Sequence, residues 1–110
     1  MNWFLAHLVG DYLIQNDWMA QKKKVGHFAC AIHAGTYLIP FLFLGLAWWQ
    51  LALIGVEHFA QDRWGFVPWF MKVTGHSAFA GPPLGPWSII LTDNIIHLLW
   101  IAGIIWVGAR

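Results

Sequence analysis

Three pairs of ionisable residues stand four apart inside runs that are otherwise apolar. His7 and Asp11 lie in FLAHLVGDYLIQ, His58 and Asp62 in GVEHFAQDRW, and Asp93 and His97 in LTDNIIHLLW. A lone His33 sits in CAIHAGTY. Residues four apart on an α-helix lie about 40° apart around the axis, so each pair shares one face. A chain written this way is constrained to form helices whose ionisable faces turn toward one another. An intramembrane Asp left uncovered costs about 2.5–3.5 kcal/mol on insertion scales.

The solvent follows from what is missing. The chain is 59% hydrophobic and only 10% charged, with nine Trp in 110 residues. A soluble domain carries roughly 25% charged residues, and charge this sparse does not cover a globular surface. A multi-pass membrane protein is the expectation, as one domain over residues 1–110. The first apolar run has no basic stretch before it and no small-residue cleavage site after it, so no cleavable signal peptide is expected. Cys30 is the only cysteine, which excludes an internal disulfide and a cysteine-based zinc site. A net charge of +1 gives no footing for nucleic-acid binding.

Four spans can be drawn. The first runs from about Trp3 to Trp18, short against the roughly 20 residues a crossing needs, and Lys22, Lys23 and Lys24 stop it. The second runs from Val25 to Leu46 with a kink expected at Pro40. The third covers Gln50 to Trp64, and the fourth Trp87 to Val107. Between the last two, FVPWFMKV reads as a segment lying in the interface plane, and Gly75 to Pro86 is too rich in Gly and Pro for regular structure. The expected fold is therefore all-α: an integral membrane four-helix bundle with a short interfacial segment between helices three and four.

Lys22–Lys24, Arg63 and Lys72 fall in the two loops that four passes place on one side, and the positive-inside rule makes that side the cytoplasm. The chain is then expected in the inner membrane. Spans one and three run toward the cytoplasm and place His before Asp. Span four runs away from it and places Asp before His. Each carboxylate is thus nearer the cytoplasm and each imidazole deeper, all between roughly 3 and 17 Å from the boundary at 1.5 Å per residue. His33 falls in the imidazole layer.

Imidazoles and carboxylates together are the donor set of zinc, manganese or iron. Buried Asp–His pairing between helices, a proton or ion path, and haem ligation by His33 or His97 draw on the same residues. Other positions have simpler readings beside functional ones. Gln15 lies one turn beyond Asp11 and serves as a span-end residue or a ligand's hydrogen-bond partner. Tyr37, one turn from His33, is a buried hydrogen-bonder or a donor to a substrate oxygen. Gly10 and Gly35 are expected to permit close helix approach. The lysine run reads as a topology signal that can also attract an anionic headgroup. Asp17 reads as a helix-end residue, His27 and His76 as solvated, Cys30 as packing, and the Trp residues as an interfacial belt.

Taken as a set, AHLVGDYLIQNDWMAQKK, the lone His of CAIHAGTY, EHFAQDRW and TDNIIHLLW resemble a family of small multi-pass membrane proteins of bacteria and phages, a domain of unknown function of the 3307 type. The pattern is H-x-x-G-D-(F/Y)-x-x-Q near the start, a lone His in span two, H-x-x-x-D in span three and D-(Q/N)-x-x-H in the last span. The resemblance runs from His7 to His97. Asn94 stands where Gln is more usual, and Gly75–Pro86 has no counterpart. The motif style is similar to that of membrane-bound metal-dependent hydrolases, and the resemblance implies a membrane fold with a polar site.

The sequence thus leads to a metal-dependent hydrolase at the cytoplasmic face, with one or two divalent ions. Its expected ligands are His7, Asp11, His58, Asp62, Asp93 and His97. His33 is a seventh ligand or a general acid/base, and Glu57 edges in as a base. The expected substrate is a membrane lipid or lipid-linked phosphoester. The alternative is a non-catalytic membrane protein with a structural metal site or a polar ion or proton pathway.

Overall fold

The computed structural model describes residues 2–109, and among these every regular element is helical. Helix α1 (Trp3–Leu8) starts at Asn2, whose side chain accepts from the Leu5 amide at 2.9 Å. That cap satisfies one of the amides the first turn leaves free. The chain then widens into a π-helical turn over Val9–Leu13, closed by the Ile14 amide donating to the Val9 carbonyl at 3.0 Å. The first expected span is therefore not one rod. After a bend, Asn16 caps a separate helix α2 (Asp17–Lys22) by accepting from the Met19 amide at 2.9 Å, and Asp17 opens that helix rather than ending the previous one.

Helix α3 (His27–Tyr37) tightens into a 3-10 segment (Ile39–Leu44) at Pro40, and Gly45 ends it at φ 69°. Proline removes an amide from the α-helical ladder, so the change of helix type falls where the kink was expected. Helix α4 (Trp48–Arg63) begins with the Gln50 side chain accepting from the Ala47 amide at 2.8 Å. Gly65, at φ 62°, turns the chain into α5 (Phe66–Val73). The Gly- and Pro-rich stretch holds one short helix, α6 (Ser77–Ala80), which its composition did not suggest. Helix α7 (Trp87–Gly108) is the longest, at 22 residues.

Helix α4 is central, packed on α3 and on α7, with α2 on α3 and α1 between the 3-10 segment and α7. At one end of this group Ala6, Tyr37, Phe41, Ile54, Ile101 and Ile104 form an apolar cluster. A smaller one, Val67, Met71 and Ile96, seats α5 on α7. Much of the remaining interior is polar, while much of the exterior is apolar. His7, His33, His58 and His97 are fully buried, while Trp48 is 81% exposed and Phe43 76%. Two stretches, His27–Leu44 and Trp87–Gly108, are long and apolar enough to cross a membrane.

Candidate metal centre

The ionisable faces of α3, α4 and α7 meet the π-helical turn. That turn carries Asp11 inward, and Gly10 lets it approach: a Cβ on Gly10 would lie 2.6 Å from the Tyr37 carbonyl oxygen and 2.7 Å from its ring. Such wide turns interrupt a regular helix and recur at functional sites. Gly35 has no comparable neighbour within 4 Å, so the close approach expected there is absent.

Four buried side chains converge on one point. His33 Nε2 lies 2.8 Å from His58 Nε2. The Asp62 Oδ2 atom is 2.9 Å from the first and 3.1 Å from the second, and Asp11 Oδ1 is 3.3 and 3.6 Å from them. Metal bonds of about 2.0–2.1 Å in a tetrahedron separate neighbouring ligands by roughly 3.3–3.4 Å, so these spacings bracket a metal site. The hydrogen bonding fits as well. Two imidazole nitrogens at 2.8 Å share at most one proton between them, and Asp11 Oδ1 accepts no well-formed hydrogen bond despite its neighbours. Donor atoms aimed at a common centre rather than at each other have this geometry.

Asp62 is the hub. Its Oδ2 faces His33 and His58, while its Oδ1 lies 3.3 Å from His97 Nε2. That nitrogen is also 3.5 Å from Asp93 Oδ2. Two further groups of donors come within reach of one another: Glu57 with His58 and His97, and Asp11 with Asp93 and His97. On the other side of the His97 ring, Nδ1 lies 3.2 Å from Glu57 Oε2. With its proton on Nδ1, His97 donates to Glu57 and keeps Nε2 free, the arrangement by which a carboxylate orients a metal-bound imidazole.

His7, expected among the ligands, sits apart. Its Nε2 donates to Asn94 Oδ1 at 2.7 Å and its Nδ1 accepts from the Tyr37 hydroxyl at 2.6 Å, so both ring nitrogens are committed. The i,i+4 rule placed it with Asp11, but the turn between them is π-helical. Tyr37 in turn stacks on His58, with ring centroids 3.6 Å apart, and so serves as a buried hydrogen-bonder. Gln15 makes no hydrogen bond to the cluster through its buried Oε1. His27 and His76 are exposed, and Cys30 is buried.

Three residues of the site were not among the expected ligands or acid/base groups. Lys23 Nζ lies 3.1 Å from Asp62 Oδ2, with a side chain only 13% exposed. Burial opposes its charge, but Asp62, and Asp11 farther off, more than offset this and raise its pKa above the ordinary lysine value. Gln61 Nε2 donates to both the backbone carbonyl and Oδ1 of Asp93, at 3.0 and 2.8 Å, pinning α7 to α4. Asn94 links His7 to the Tyr12 hydroxyl. A signal for Lys23 existed: it follows the buried Met19 by four residues, on the same face.

Fold and site together define a small all-helical protein with a buried histidine–carboxylate centre and an apolar exterior. The chain belongs to the family described as a protein of unknown function, DUF3307, whose model matches residues 1–108. No curated protein and no solved structure matches it.

Proposed function

We propose that the protein is a membrane-embedded, metal-dependent hydrolase that acts on a lipid or lipid-linked phosphoester at the cytoplasmic face of the inner membrane. One observation carries the reading: Asp11 Oδ1, His33 Nε2, His58 Nε2 and Asp62 Oδ2, drawn from three helical elements, converge at 2.8–3.6 Å in a buried site. The inverted polarity supports the membrane half of the proposal. Soluble proteins rarely leave this much contiguous apolar surface uncovered while burying charge. The four spans would be α1 with its π-helical turn, α3 with the 3-10 segment, α4 and α7, with Lys22–Lys24 on the cytoplasmic side.

Asp11, His33, His58 and Asp62 would hold zinc, manganese or iron. Asp62 presents its second oxygen to His97, which in turn lies near Asp93, so Asp93 and His97 with Asp11 would be the residues to hold a second ion. Bound there, a divalent cation supplies the Lewis acidity that brings a water's pKa near 7 and polarises a phosphoryl oxygen. The chain's own groups do the rest. Glu57 holds the His97 ring in place and its free oxygen can take a proton, and the Lys23 ammonium, with one N–H on Asp62, would offer the others to an anionic oxygen. A structural metal centre is the second reading, favoured by the near-complete burial of all four donors, since a catalytic site keeps an open position.

The test is phosphate release from a lipid phosphomonoester in mixed micelles with zinc, manganese or iron(II) supplied in turn. Wild type is expected to turn over, and His58→Ala to lose on the order of a hundredfold or more together with its metal. Metal held stoichiometrically with no turnover of any phosphoester would leave the structural reading.

A further inference from the structure

Two sets of donors in the buried centre differ in number, exposure and outer hydrogen bonding. The first is Asp11, His33, His58 and Asp62, and the second is Asp11, Asp93 and His97. Four donors complete a tetrahedron and close it, whereas three protein ligands with a free position are the pattern of a catalytic metal site. Asp11 belongs to both sets, and its two oxygens let one side chain serve both. In the second set Asp11 and Asp93 bring carboxylate oxygens within 4.8 Å of each other, and like charges that close gain from a cation between them.

Exposure divides the sets. Every side chain of the first is buried, whereas the Asp93 side chain is 23% exposed, so the second set has an edge open to the outside. Outer hydrogen bonds divide them again. A metal-binding imidazole or carboxylate is ordinarily oriented by a further partner. In the second set His97 Nδ1 donates to Glu57 Oε2 at 3.2 Å, and Asp93 Oδ1 accepts from Gln61 Nε2 at 2.8 Å. Those bonds leave His97 Nε2 and Asp93 Oδ2 facing each other at 3.5 Å. In the first set the Nδ1 atoms of His33 and His58 are buried and make no hydrogen bond among the described residues. The open set is thus the one whose ligands are held in orientation from outside.

We infer that the centre is binuclear and unequal: one tightly held ion on Asp11, His33, His58 and Asp62, and a second, exchangeable ion on Asp11, Asp93 and His97 that keeps the open position. The inference rests on the metal-dependent reading of the site. Burial and closure, which favour a structural centre, then belong to the first ion, and access belongs to the second. Free metal regulates such a site, because only the first ion is held when metal is scarce and turnover begins as the weaker set fills. A third set, Glu57 with His58 and His97, shares His97 with the second. There Glu57 Oε2 already takes the Nδ1 proton, which makes it the poorer place for an ion.

The probe is manganese(II), added stepwise to the full-length protein in detergent after chelation and followed by electron paramagnetic resonance. Phosphate release from a lipid phosphomonoester is read on the same samples. The first equivalent is expected to give the spectrum of an isolated ion, without turnover. The second should convert it to the exchange-coupled spectrum of two ions sharing a carboxylate, and turnover should rise with that signal. Asp93→Asn should keep the first ion and lose the coupled signal. Gln61→Leu should weaken the second ion by about tenfold, the lower end of the cost of an outer partner, and leave the first unchanged. Wild type that stops at one equivalent with no coupled signal overturns the inference. So does loss of the first ion in Asp93→Asn, or coupling abolished by Glu57→Gln but not by Asp93→Asn. The wild-type titration decides even where a variant does not fold. A coupled pair without turnover would sink the hydrolase and leave the two unequal ions standing, and turnover complete at one equivalent would sink the second site alone.

Discussion

The same helical elements build two interiors of opposite character. At one end Ala6, Tyr37, Phe41, Ile54, Ile101 and Ile104 pack as an ordinary apolar core. Toward the other, Asp11, His33, His58, Asp62 and His97 fill the space that Leu or Ile would fill more cheaply. Side chains such as Tyr37 on His58 join the two halves. Buried charge is weak evidence for stability, since well-packed apolar residues often replace it at no loss. The apolar half therefore holds the fold, and on the proposed reading the polar half is there for the metal it would bind.

That division can be broken by substitution. Phe41 is fully buried in the apolar half, and Phe41→Ala should lower the unfolding free energy by about 3–5 kcal/mol, read as a lowered thermal midpoint in detergent. A midpoint unchanged by that cavity would mean that the apolar cluster does not hold the helices together.

The two glycines sharpen the seam between the halves. Gly10→Ala drives a Cβ into the Tyr37 backbone and should cost about 1–3 kcal/mol. Gly35→Ala meets open space and should stabilise α3 by roughly 0.5–1 kcal/mol through helix propensity. Equal effects from the two would show that the π-helical turn does not pack on Tyr37 as described.

Another expected effect, on binding rather than on stability, concerns Lys23, whose ammonium stands on the oxygen that a metal would take. Lys23→Met removes a positive neighbour from a cation site and should tighten metal binding by about tenfold, since a unit charge a few ångströms away is worth a kcal/mol or more even at an effective dielectric constant near 20. Titration with a competing chelator reads the change. Weaker binding in the variant would mean that Lys23 orients Asp62 rather than competing for it.

Much of this arrangement was legible in the sequence. The spacing of His58 with Asp62 and of Asp93 with His97 put each pair on one helical face, and α4 and α7 are regular where those pairs lie. The break at Pro40 followed from proline's missing amide. The π-helical turn was not legible, because an extra residue in a turn leaves no compositional mark. It separated His7 from Asp11, sent His7 to Tyr37 and Asn94, and divided the first expected span. Gln61 escaped notice and Asn94 was noted only as a motif position, because neutral amides fit many motifs equally and their roles come from partners on other helices. Lys23 was read with its neighbours as a topology signal, although its four-carbon stem lets one member of such a run reach inward.

Elemental analysis of the detergent-purified protein, wild type beside Asp11→Asn, tests the central claim most directly. The substitution keeps the side chain's size and removes one charged donor from the Asp11, His33, His58 and Asp62 set. Wild type is predicted to carry about one to two equivalents of zinc, manganese or iron. Asp11→Asn should bind on the order of a hundredfold more weakly. Wild type that holds no metal after reconstitution with each ion in turn would contradict the account.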